Sequence, residues 1–186
     1  MSKVIPLTKQ VMVASGAHIL YFYENDSLYF RNLSAFVSEG IERGDHLLII
    51  DDASTMERLK TFVTHSYSPE KRSLIHFFDH REFYQCHSDF HTETIVDHFK
   101  TIIYSIPGTN NNIRTWARVV WMQRENIEKE IEKFEGLADS NVKKLGILSV
   151  CAYSAKETSA SLQKTMMRSH EYLMTDEEFV SSSLFR

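Results

Sequence analysis

Five short apolar runs punctuate the chain: His18–Tyr23, His46–Ile50, Leu74–Phe78, Ala117–Trp121 and Leu145–Val150. Most are continuous rather than alternating, the pattern of strands buried on both faces of a parallel sheet. Their starts lie 28, 28, 43 and 28 residues apart. That spacing leaves room for one helix and two turns between successive strands, the βαβ unit. The gaps themselves have helical period. Leu28, Phe30, Leu33, Phe36, Val37 and Ile41 recur on one face between Ser27 and Arg43, and Gly44 suits the position after a helix end. Ser54 and Glu57 form a capping-box pattern ahead of Met56, Leu59, Phe62 and Val63. Thr92 is placed to cap a helix carrying Ile95, Val96, Phe99, Ile102 and Ile103, which Pro107-Gly108 would end. The charge-rich stretch 124–136 carries Ile127, Ile131 and Phe134 on one stripe. A last helix is predicted from Ser159 to about His170, with Leu162 and Met166 inward.

These elements predict a single three-layer α/β domain over residues 1–186, with a mostly parallel central sheet flanked by helices and joined by right-handed crossovers. The core is expected over about 16–175, the ends 1–14 and 176–186 loosely anchored, and the loop 107–112 exposed opposite the site. Composition narrows the class. The two cysteines, Cys86 and Cys151, are too few for a disulfide scaffold and suit a cytoplasmic protein with reduced thiols. A net charge of −4 gives no basic footprint for nucleic acid or an anionic membrane. No apolar run approaches the roughly 20 residues of a membrane span, and the N-terminus lacks the apolar region of a signal peptide.

In open parallel sheets ligands bind outside the carboxyl ends of the strands. Those ends run into Tyr23-Glu24-Asn25-Asp26, Asp51-Asp52, Asp79-His80, Trp121 to Arg124 and Cys151 to Ser154, a rim of rings, carboxylates and one thiol suited to a small organic ligand. The first strand-to-helix turn, Tyr23 to Ser27, has no glycine and no lysine, and Gly-Lys-Ser or Gly-Lys-Thr occurs nowhere. Backbone approach to a triphosphate and neutralisation of its charge are both missing, which excludes phosphate-loop ATP hydrolysis. Other chemistry stays open. His76, His80, His87, His91 and His98 crowd one segment with Cys86, ligand types for zinc at non-standard spacing. Cys151 is a nucleophile, a redox sensor or a small buried hydrophobe, with His18 and His170 as candidate bases. Trp116 and Trp121 read as core, and Glu132 with Glu135 as a solvated helix face.

Several segments together carry a family resemblance. They are His18 to Asp26 followed by Phe36 to Asp45; Asp79 to Tyr84 with Phe90; Arg118 to Trp121 with Phe134-Glu135; and Cys151-Ala152-Tyr153-Ser154 with Ser169-His170. Over about residues 16–175 the chain resembles MEDS domains, the methanogen/methylotroph DcmR sensory domains. The resemblance implies a RecA/KaiC-like fold that has lost its phosphate loop (no Walker A). It also implies a sensory role: binding a small molecule, often suggested to be a hydrocarbon derivative, and passing its state to a kinase or transcription factor. Ser169-His170-Glu171 stands where relatives have histidine–proline, and Ser154 where they have aspartate.

The resulting expectation is a stand-alone, non-enzymatic sensory or regulatory domain with no cofactor and no resident metal. Its ligand would be a small organic molecule or a partner protein, such as a histidine kinase or transcription regulator, and a homodimer is compatible with such a module. His18, Tyr23, Glu24, Cys151, Tyr153 and His170 are expected to line a pocket at the sheet's carboxyl edge, although His18 begins a strand and so starts from the far end. The alternatives are a Cys151-dependent enzyme and a metal-dependent sensor built on the His76–His98 segment.

Overall fold

The computed structural model describes residues 4–85, 91–106, 113–121 and 126–185, and of Gln85 only the backbone. An N-terminal hairpin, β1 (Val4–Thr8) and β2 (Val11–Ala14), precedes the main sheet. Then follow β3 (His18–Tyr23), α1 (Asp26–Arg43), β4 (His46–Asp51), α2 (Ala53–Ser66), the short α3 (Pro69–Arg72) and β5 (Ile75–Asp79). The second half holds α4 (His80–Gln85), α5 (Thr92–Ser105), β6 (Ile113–Arg118), α6 (Ile127–Leu145), β7 (Leu148–Ser154), α7 (Ala160–Met166), β8 (Tyr172–Met174) and β9 (Phe179–Ser181).

The seven-stranded sheet has the order β5-β4-β6-β7-β3-β8-β9, with every pairing parallel except β8 with β9. Alternate residues of each strand serve opposite layers, as the pleat requires. Ile19, Tyr21, Leu47, Ile49, Trp116 and Val150 pack on the α1 and α2 side with Leu33, Phe36 and Leu59. Leu20, Phe22, Leu48, Ile50, Cys151 and Tyr153 face α5 and α6 with Ile95, Ile103, Ile131 and Phe134. The expected three-layer α/β architecture is therefore present. Among the described residues no helix is long and apolar enough to cross a membrane.

Three expectations need correction. The strand expected at Ala117–Trp121 begins earlier, at Ile113, because polar Arg114 and Thr115 are buried strand residues with partners. Thr115 donates its hydroxyl to Ser149 Oγ at 2.8 Å, and Arg114 reaches Asp45 Oδ2 through Nη2 at 2.5 Å and Nε at 2.9 Å. Gly40 permits that approach: a Cβ there would stand 2.8 Å from Arg114 Cδ. The N-terminal segment is also anchored. Leu7 and Val13 are buried, and Arg114 donates to the Leu7 and Pro6 carbonyls at 3.3 and 3.2 Å. Near the C-terminus, Asp176 accepts from Tyr21 Oη at 2.6 Å and from the Glu24 and Asn25 backbone N–H groups at 3.0 Å each. The loop 107–112 lies outside the described residues.

Asp176 thus places a carboxylate at the β3–α1 turn, the position where a phosphate loop would hold an anion. Asn25 closes the helix end itself, its side chain accepting from Ser27 N and Leu28 N. Asp176→Ala should lower stability by about 1–2 kcal/mol, since it strands the partly buried Tyr21 hydroxyl and frees two backbone donors. Denaturant titration reads the loss, and hydrogen exchange should accelerate at the Glu24 and Asn25 amides; unchanged exchange there would count against this anchoring.

Candidate functional site

The residues expected at one carboxyl-edge pocket divide between two places. Tyr23 ends β3 at that edge, half-buried, its ring 4.6 Å from Tyr29. Beside it Arg118, the last residue of β6, sits in a cage. Its Nε lies 2.7 Å from Asp51 Oδ1 and its Nη1 2.9 Å from Asp52 Oδ2, while the guanidinium covers the Tyr29 ring at 4.3 Å and the Tyr23 ring at 5.1 Å. Tyr29 donates to Asp51 Oδ2 at 2.5 Å and accepts from Trp116 Nε1 at 2.8 Å. Burial pushes the Asp51 carboxyl up to about 6, against the pull of Arg118 and the Tyr29 hydroxyl. Glu24 is exposed and lines a separate open groove of about 680 Å³ with Asp176, Glu177 and Glu178. Trp116 is core as expected.

His18, Cys151, Tyr153 and His170 come together elsewhere, on the sheet face beneath α6, and all are buried. Pairing of Leu20 with Cys151 sets His18 diagonally across from the thiol, with His18 Nε2 3.2 Å from Cys151 Sγ. The turn after α7 brings in His170, whose ring stacks on His18 at 3.9 Å between centroids. The fifth member is Glu135 of α6. It is fully buried, not part of a solvated face, because it continues the inward stripe of Ile127, Ile131 and Val142. Its partner in that expectation, Glu132, is exposed. Glu135 accepts a short hydrogen bond from the Tyr153 hydroxyl on Oε1. Its Oε2 lies 3.4 Å from His18 Nε2 and 3.3 Å from His170 Nε2.

Electrostatics follow from burial. Desolvation, and then the His170 ring beside it, lower His18 from 6.5 to about 3, so its imidazole is neutral. Burial pushes the Cys151 thiol well up, and Glu135 adds to that. For Glu135, burial acts upward, but His170, His18 and the Tyr153 hydroxyl outweigh it and hold the carboxyl below its usual value. A histidine kept neutral in the native state opposes acid: the unfolded chain takes up a proton near 6.5 that the native chain refuses until about 3. Its stabilising contribution is complete above about 6.5 and declines on acidification at up to about 1.4 kcal/mol per pH unit. In chelator-treated protein, unfolding free energy should therefore fall more steeply below pH 6.5 in wild type than in His18→Leu. Comparing the two isolates the histidine, because the raised Asp51 pulls the other way between about 6 and 3.8. Parallel profiles would contradict the assignment.

A cavity of about 40 Å³ opens against this cluster. Ile50, Phe83, Tyr84, Val96, Phe134 and Ala138 wall it, and Cys151 lies at its boundary. Its lining is predominantly apolar. Among the described residues, His18, Glu135, Cys151 and His170 are the group whose donor atoms lie close enough together to hold a metal ion. The histidine segment does not assemble one there: His76 pairs with His46 at 3.2 Å between ring nitrogens, and His98 packs against Phe83. Cys86 and His87 lie outside the described residues.

Sheet order and layers define the class. The chain has a RecA/KaiC-like fold, here with a first strand-to-helix turn that lacks glycine and lysine. It is similar to the crystal structure of KaiC-like protein PH0186 from the hyperthermophilic archaeon Pyrococcus horikoshii OT3, with a TM-score of 0.55 and 12% identity over 87% of this chain and 71% of that one. It is similar also to the ATPase domain of G40P, with a TM-score of 0.57 and 8% identity over 87% and 69%. A search of curated proteins gives no match. Within that fold, the chain belongs to the MEDS family, the methanogen/methylotroph, DcmR sensory domain, whose model matches residues 17–171.

Proposed function

We propose that this chain is a non-enzymatic sensory domain that takes a small organic molecule into the cavity beside Cys151 and passes the bound state to a signalling partner. The carrying observation is the mainly apolar cavity bordered by Cys151, itself a member of the fully buried polar cluster. An apolar cavity of about 150 Å³ accommodates benzene, so by the same ratio one of about 40 Å³ takes a guest of about one or two heavy atoms. Aliphatic and aromatic walls supply the contact area and Cys151 the polarisable end. The cavity lies between the sheet and the α5–α6 layer. A guest there would favour one packing of those helices, a population shift that a partner can read on their outer surface. The family's sensory description supports a signalling role; a histidine kinase or transcription regulator is the partner proposed.

Two features favour sensing over catalysis by Cys151. Burial raises the thiol, which opposes thiolate formation, and Glu135 adds negative charge beside it. At the phosphate-loop position, Asp176 holds the backbone donors that a nucleotide would need. A thermal-shift series graded by size tests the reading. Alcohols and aldehydes of about two heavy atoms should raise the melting temperature, and phenol-sized analogues should not. Absence of any response across the small members would overturn it.

A further inference from the structure

Both histidines of the buried cluster turn Nδ1 toward a backbone carbonyl. His18 Nδ1 faces Ser169 O at 3.2 Å and His170 Nδ1 faces Met166 O at 2.8 Å. A carbonyl oxygen only accepts, so each Nδ1 carries a ring proton and Nε2 is the ring atom turned to the interior. Both Nε2 atoms converge on Glu135 Oε2 at 3.4 and 3.3 Å. Glu135 Oε2 and His170 Nε2 have no hydrogen-bond partner although both side chains are fully buried. Cys151 Sγ closes the group, 3.2 Å from His18 Nε2. Unsatisfied buried polar atoms are costly.

We infer that His18 Nε2, His170 Nε2, Glu135 Oε2 and Cys151 Sγ form a tetrahedral site for a divalent zinc ion. Zinc bonds of about 2.0–2.3 Å set tetrahedral ligand atoms about 3.3–3.7 Å apart; the three separations above are close to this, and all four donor atoms lie within 4.8 Å of one another. The donor set of two imidazoles, one carboxylate and one sulfur suits zinc and not calcium or magnesium, which take oxygen ligands. The supporting shell is also in place. Carbonyls fix both ring tautomers, and the Tyr153 hydroxyl holds the other oxygen of Glu135. Binding would form one Zn–S, one Zn–O and two Zn–N bonds, with the thiol proton released to solvent. The site stands independently of the sensory reading, since it needs no guest in the cavity.

The full chain, purified without a metal-affinity tag, should contain about one zinc per chain. Chelation should lower its melting temperature and zinc alone should restore it. Cobalt substitution should give tetrahedral d–d bands with a thiolate-to-metal charge-transfer band. Cys151→Ser should lose the charge-transfer band while keeping d–d bands, and Glu135→Gln should weaken binding at least about tenfold. His76→Ala should bind as wild type does. Zinc below roughly a tenth of an equivalent, with no thermal response to added zinc, would overturn the inference. So would an unchanged cobalt spectrum in Cys151→Ser, or loss of the metal in His76→Ala. If Glu135→Gln fails to fold, the Cys151→Ser spectrum decides alone. An organic thermal response without zinc would leave the sensory reading standing and remove this one.

Discussion

Arg118→Met is expected to destabilise the fold by about 3–5 kcal/mol. Asp51 is completely buried, and Arg118 Nε is its cationic neighbour at 2.7 Å. Removing the guanidinium leaves a desolvated carboxylate against the Tyr29 hydroxyl and the Asp52 N–H, which stabilise it only in part. The substitution also removes the cation from the faces of Tyr23 and Tyr29. For a chain of this length the melting temperature should drop by roughly 6–20 °C. Arg118→Met with Asp51→Leu should recover much of the loss, because a buried pair replaced by apolar groups avoids the uncompensated charge. A loss under about 1 kcal/mol for the single variant would mean that water reaches Asp51. Asp51 and Asp52 at this edge are thus paired from within by Arg118.

Asp45→Ala is expected to cost about 3 kcal/mol or more by the same physics with the sign of the charge reversed. Arg114 is 1% exposed, and both its Nε and Nη2 donate to one Asp45 oxygen. Without that carboxylate it keeps only the Pro6 and Leu7 carbonyls and the Phe36 ring. The effect should spread to the N-terminal hairpin, whose carbonyls Arg114 holds. Denaturant titration should show the loss, and proteolysis should find residues 4–14 more readily. An intact hairpin with unchanged stability would contradict the assignment.

The sheet was legible wherever strands were continuously apolar, as at His18–Tyr23 and His46–Asp51. It was misplaced at β6, where Arg114 and Thr115 look like surface residues until Asp45 and Ser149 are seen across space. The hairpin strands, of five and four residues, and the three-residue β8 do not register in the sequence because such short strands carry too little period. The site was half legible. Residue type drew attention to His18, Cys151, Tyr153 and His170, but the carboxyl-edge rule grouped them with Tyr23 and Glu24, which the structure places apart from them. Glu135 had a signal of its own. It stands four residues after Ile131 and seven before Val142, so the apolar stripe carries it inward. Its charge argued for the surface, and only three facing side chains reverse that.

Equilibrium binding of one small organic guest to three proteins tests the central claim most directly. The proteins are wild type, Ala138→Leu, which fills the cavity from α6, and Glu24→Ala, which alters the open groove at the strand ends. The account predicts that Glu24→Ala binds as wild type does and that Ala138→Leu loses binding by at least about tenfold. Binding retained in Ala138→Leu and lost in Glu24→Ala would contradict it and return the ligand to the carboxyl edge.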